Sequence, residues 1–270
     1  MYAKRRGSRP GNWRRVGLAT VAGWLCVGLA LAAGGPAAFA RSGFETELAA
    51  RLQPPDRVLW LSAGGREFLA VHRPAAGRQP ARGVVVLLHD LGAHLDWPQG
   101  VRPLRVGLPE AGWHTLSLQL DLGVVSDADG RLTENLSERL TAAMGYLSEQ
   151  GLTDRVLVAF GAAVPAAARW LAGVGATSGV KAAVAVAGRV GSEPAVIEEA
   201  ASLMSRLVLP WLDVHGALDA DASRLADRHQ VLRAQAESND HRRARIPAAG
   251  RGLGRDDGAL LATVRGFIAR

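Results

Sequence analysis

The segment Arg155-Val156-Leu157-Val158-Ala159-Phe160-Gly161-Ala162-Ala163-Val164-Pro165 decides the fold. After the leading arginine it is apolar on successive positions, as a strand buried on both faces requires. Gly161 then permits a sharp turn, and a helix is predicted over Val164 to Ala172. The same alternation recurs on either side. Strands are predicted at Phe68 to His72, Val84 to His89, His114 to Leu120, Arg155 to Phe160, Ala182 to Ala187, Val208 to His215 and Arg243 to Ile246. Between and after them, helices are predicted at Val101 to Ala111, Thr133 to Gln150, Glu193 to Arg206, Ala222 to Glu237 and Asp257 to Ala269. Strand and helix in strict turn imply right-handed crossovers, hence an α/β fold with a doubly wound, mostly parallel sheet and helices on both faces. Arg57 to His72, broken by Ala63-Gly64-Gly65, reads as a hairpin that adds antiparallel strands at one edge.

The chain has 270 residues, 48% apolar and 21% charged, too apolar and too weakly charged for a disordered polymer. Its net charge of +7 would suggest a polyanion partner, but six of its 32 basic residues precede residue 41 and no acid does. The rest carries 26 bases against 25 acids, which removes the main support for nucleic-acid binding. Residues 1–40 have the layout of a secretory signal: basic through Arg15, apolar from Val16 to Ala33, then Gly34-Gly35-Pro36 and Ala38-Phe39-Ala40. Cleavage after Ala40 would leave a single periplasmic domain, 41–270; an uncleaved leader would anchor it to the membrane instead, the only membrane contact expected. The single cysteine, Cys26, falls in the leader, so the mature part offers no disulfide, thiolate metal site or Cys nucleophile.

In an open α/β sheet, function gathers at the carboxyl ends of the strands. After Val84 to Leu88 comes His89-Asp90-Leu91-Gly92-Ala93-His94-Leu95-Asp96-Trp97. Two histidines and two aspartates suit a metal, but no further histidine keeps a fixed spacing to them, and neither a metal nor a cofactor is expected. Asp127 and Asp129 lack the closing glutamate of a calcium loop. The loop instead resembles the His-Gly turn of α/β-hydrolases, whose backbone N–H groups help to form an oxyanion hole. That fold implies a Gly-x-Ser-x-Gly elbow after the strand ending at Phe160, where Gly161 stands in place of the serine. Asp219 matches the acid position, while Arg251 stands where the histidine is expected and cannot serve as a base. Gly161, Asp219 and Arg251 thus read as vestigial catalytic positions. The ligand cleft is expected to comprise His89, Asp90, Leu91, Gly92, Phe160, Gly161, Ala162 and Arg251, and to take a small anionic or acyl ligand.

Gly65-Arg66-Glu67-Phe68, Leu87-Leu88-His89-Asp90-Leu91-Gly92, Trp97-Pro98, Leu108-Pro109-Glu110-Ala111-Gly112-Trp113, Thr115-Leu116-Ser117-Leu118-Gln119-Leu120 and Val264-Arg265-Gly266-Phe267 together carry a family likeness. With them the chain resembles a bacterial exported family of α/β-hydrolase-like proteins, domain of unknown function 3530. The resemblance implies the fold and an exported location and brings no established reaction.

Three functional readings remain open. One is a non-catalytic protein that binds a ligand or partner in the old cleft. The second is a periplasmic serine hydrolase with a relocated nucleophile, Ser117, Ser126 or Ser192, served by His89, His94 or His215. The third is an envelope interaction protein that keeps the fold only as a scaffold. Trp97, Trp113, Trp170 and Trp211 read as core packing, and His241-Arg242-Arg243-Ala244-Arg245 as a solvated strand edge.

Overall fold

Gly83-Val84-Val85-Val86-Leu87-Leu88 is buried along its whole length and forms the strand β3 in the middle of an eight-stranded sheet. The computed structural model describes residues 42–77, 79–121, 131–236, 240–250, 253 and 257–269; the leader expected over 1–40, Ser126 and Arg251 lie outside them. In chain order the other strands are β1 (Arg57–Ala63), β2 (Arg66–Arg73), β4 (Trp113–Leu118), β5 (Arg155–Phe160), β6 (Val180–Val186), β7 (Trp211–Gly216) and β8 (His241–Ile246). They lie in the order β1-β2-β4-β3-β5-β6-β7-β8. From β4 to β8 every pairing is parallel, while β2 is antiparallel to both β1 and β4. The hairpin turns at Gly64 and Gly65, both at positive φ as a two-residue connection between twisted strands requires.

Helices α3 (Arg131–Glu149), α4 (Ala163–Val174), α5 (Pro194–Ser205) and α6 (Ala220–Gln235) cover one face, with Leu140, Leu147, Trp170 and Met204 among the core residues there. On the other face α2 (Val101–Gly107) and α7 (Asp257–Ile268) bury Val101, Leu104, Leu260 and Val264 against Val85, Leu87 and Val158. Alanines 163, 166, 167 and 168 are buried and let α4 lie close to the sheet.

Three departures from the sequence reading have a clear physical cause. The α2 helix stops at Gly107, and Pro109–Ala111 forms a separate 3-10 turn: Leu108 keeps helical geometry, but Pro109 has no N–H with which to continue the ladder. β7 starts at Trp211 and not at Val208, which is fully exposed; Pro210 cannot donate to a ladder. An eight-residue helix, α1 (Gly43–Ala50), was not foreseen, although Ser42 caps it and accepts from the Glu45 N–H at 3.1 Å.

The chain runs from β3 outward to β4 and then returns past β3 to β5, so the connections on the two sides of β3 leave in opposite directions. The crevice between the carboxyl ends of β3 and β5 is therefore the topological switch point, where open α/β sheets hold ligands.

Candidate functional site

β5 delivers Phe160 to the switch point, and Gly161 turns the chain into α4 with φ +54°. That left-handed conformation is the one a nucleophile elbow imposes on its central residue, and glycine adopts it without strain. The turn is pinned to β6: the Gly161 N–H donates to the Val186 carbonyl at 2.9 Å, and the Gly161 carbonyl accepts from the Arg189 N–H at 3.1 Å.

The space above Gly161 is occupied. A Cβ placed on Gly161 would fall within the carboxylate of Asp90, which reaches across from the loop after β3. Asp90 Oδ1 accepts from the N–H of Ala162 at 2.8 Å and from its neighbour Leu91 at 2.8 Å. These are the residue after the elbow and a residue of the loop after β3, the two places from which an α/β-hydrolase draws its oxyanion donors. Asp90 Oδ2 is paired with the Arg189 guanidinium. Asp90 thus fills the space over Gly161 and engages two of the backbone N–H groups beside it.

Beside this ion pair is a cavity of about 210 Å³, lined by Asp90, Leu91, Gly92, Trp97, Gln99, Phe160, Gly161, Arg189 and Leu253, among others. Of the cleft residues expected from sequence, Asp90, Leu91, Gly92, Phe160 and Gly161 border it, and Ala162 contributes its N–H to Asp90. His89 does not line the cavity. It is fully buried, its Nδ1–H donates to the Asp90 carbonyl at 2.8 Å, and its Nε2 accepts from the Leu120 N–H at 2.9 Å. Burial pushes its pKa down to about 4, so it is a neutral strut between the ends of β3 and β4.

Asp219 is buried at the N-terminus of α6, where Oδ1 caps the helix by accepting from the Ala222 N–H at 3.1 Å. Its Oδ2 has no hydrogen-bond partner among the described residues. Among the described residues, the relocated serine reading finds little geometry at Ser117 and Ser192. Ser117 Oγ is buried and donates to the Leu95 carbonyl at 2.6 Å, and Ser192 is exposed in the loop before α5. His215 has both ring nitrogens engaged, by the Gly216 carbonyl and by Arg243 Nε, and His94 Nδ1 accepts from the Asp96 N–H.

The sequence reading missed Arg189, which carries no motif; Trp97, read as core packing, is partly buried against the core and also lines the cavity. Trp113, Trp170 and Trp211 are buried. It also took His241 for part of a solvated edge. Asp213 Oδ2 accepts from His229 Nδ1 at 2.7 Å and from His241 Nε2 at 2.8 Å, and Asp213 Oδ1 accepts from Trp211 Nε1 at 3.0 Å. Burial would raise the Asp213 pKa, but the two imidazole hydrogen bonds and their charge outweigh it and hold it near 2. This is the one trio of metal-compatible side chains among the described residues. The trio is already knit by hydrogen bonds between its own members. His89, Asp90, His94 and Asp96 are not gathered as ligands: Asp96 pairs with Arg105 at 2.5 Å and Asp90 with Arg189.

Comparison with solved structures places the fold. The chain is similar to a dienelactone hydrolase from Anabaena variabilis, with a TM-score of 0.64 and 17% identity over 81% of this chain and 98% of that one. It is also similar to an α/β serine hydrolase without lid from Xanthomonas campestris, with a TM-score of 0.60 and 15% identity over 81% and 96%. An α/β serine hydrolase homologue from Coxiella burnetii gives a TM-score of 0.57 and 17% identity over 81% and 97%. No curated protein sequence matches the chain. The family resemblance read at Val264 to Phe267 lies outside the span matched by sequence. Residues 32–129 match the family described as Protein of unknown function (DUF3530), here carried on an α/β-hydrolase fold.

Proposed function

We propose that this chain is an exported α/β-hydrolase-like protein that has lost hydrolytic chemistry and binds a small ligand in the cleft at the β3–β5 switch point. The observation that carries the reading is the Asp90 carboxylate, which accepts both N–H groups of the oxyanion hole and fills the place of the nucleophile's side chain. With both N–H groups taken, a tetrahedral oxyanion would have to displace Asp90 to reach them, and such donors supply a large share of acyl-transfer catalysis. Gly161 offers no nucleophile, and Arg251, at the position expected for the base, holds its proton at every physiological pH.

A fluorophosphonate probe is expected to leave the protein unlabelled. Labelling at one serine, lost when that serine is changed to alanine, overturns the reading. Installing Gly161→Ser with Arg251→His beside Asp219 is not enough to restore ester cleavage, because Asp90 still holds the space and the donors; Asp90→Ala must accompany them. Export predicts a mature N-terminus at Arg41, read by mass spectrometry of material secreted from an expressing bacterium. The intact leader in a membrane fraction contradicts it.

A further inference from the structure

We propose that the Asp90 carboxylate is an exchangeable occupant of an anion site, and that a small carboxylate ligand with an apolar tail displaces it. The proposal rests on the non-catalytic reading above and names the ligand class for the same cleft. Three donors converge on one carboxylate: the N–H groups of Leu91 and Ala162 at 2.8 Å on Oδ1, and the Arg189 guanidinium on Oδ2. The donors come from three separate segments, after β3, β5 and β6, so the site is assembled by the tertiary fold and not by one helix end. The molecule itself displays the chemistry that fits, since a carboxylate already fills the site.

Exchange has a route and a balance. The side chains of Asp90 and Arg189 are each 23% exposed, so Asp90 can swing toward water without crossing the core. An incoming carboxylate restores both backbone hydrogen bonds and the ion pair, whereas a neutral ligand leaves Arg189 without a counter-charge, and an amine brings a second cation against it. A tethered carboxylate competes at a high effective concentration, so charge alone does not displace it. The surplus must come from apolar burial, which the cavity offers at Trp97, Val101, Phe160, Val186 and Leu253. The cavity of about 210 Å³ suits an apolar group of roughly benzoate size.

Calorimetric titration of the full chain with sodium benzoate, sodium acetate and benzylamine tests this. Benzoate is expected to bind the wild type and acetate not to. Asp90→Ala, which vacates the site, is expected to tighten benzoate by about tenfold or more and to make acetate binding measurable. Arg189→Gln is expected to weaken benzoate by about tenfold in either background. Equal benzoate affinity with and without Asp90 overturns the proposal, as does benzylamine binding in preference to benzoate. Should Asp90→Ala fail to fold, Asp90→Asn keeps the side chain's size and loses the ion pair, and benzoate must then gain by about threefold. Absent benzoate binding in a protein that also resists fluorophosphonate removes this inference alone; fluorophosphonate labelling removes the non-catalytic reading whatever benzoate does.

Discussion

Two aspartates, one on each half of the sheet, are both held by three donors and yet are built for different work. Asp213, inside β7, takes its hydrogen bonds from His229, His241 and Trp211, is almost wholly buried, and borders a void too small for a ligand. Asp90, on the loop after β3, takes its bonds from two backbone N–H groups and Arg189, is partly exposed, and faces a cavity. The first is satisfied by side chains that would themselves be stranded without it. The second sits on donors that any anion could use. The difference is between a carboxylate that holds a fold together and one that occupies a site, and the number of hydrogen bonds does not distinguish them; the partners and the neighbouring space do.

The largest expected effect lies at the structural member. Asp213→Ala should cost about 4 kcal/mol, since it strands two buried imidazole N–H groups and an indole N–H, whereas Asp90→Ala should cost below about 1 kcal/mol because water reaches its donors. Chemical denaturation compares them, and equal losses would break the contrast. Acid titration gives the next effect. The His89 pKa is depressed from 6.5 to about 4 by burial, so its neutral form contributes stability in full above pH 6.5 and loses it as pH falls toward 4. The loss is about 3 kcal/mol. Asp213, depressed from 3.8 to about 2, holds its contribution until pH falls below 3.8. Melting temperatures should therefore decline in two stages, the upper from His89 and its companion His72, also held near 4 by burial and by the charges of His114 and Arg57. A flat profile from pH 6.5 to 4 would contradict the buried-strut role of His89. The smallest effect is at Arg189: Arg189→Gln should cost below about 1 kcal/mol, because the pair is partly wet and Asp90 keeps its two N–H groups.

The sheet was legible because its inner strands are buried on both faces and read as unbroken apolar runs; β5 falls on Arg155–Phe160 in both readings. The hairpin was legible from Gly64-Gly65. What escaped depends on distance along the chain. Nothing near Asp90 announces that its carboxylate will meet Ala162, 72 residues on, or that Arg189 will close over it. The His229–Asp213–His241 trio likewise joins a helix and two strands whose residues look unremarkable one at a time. The helix α1 is a different failure, since Ser42 and Glu45 already carried a local capping signal.

The account turns on Asp90 filling the place of the elbow's side chain, and a double-mutant cycle between Gly161→Ala and Asp90→Ala measures that directly. Alone, Gly161→Ala is expected to destabilise by about 3 kcal/mol, part from positive φ and part from overlap with the carboxylate. With Asp90→Ala beside it the overlap vanishes and only the backbone strain remains, so the two changes should couple by about 1 to 2 kcal/mol in the favourable direction. Additive losses, with no coupling, would mean that Asp90 does not occupy the elbow.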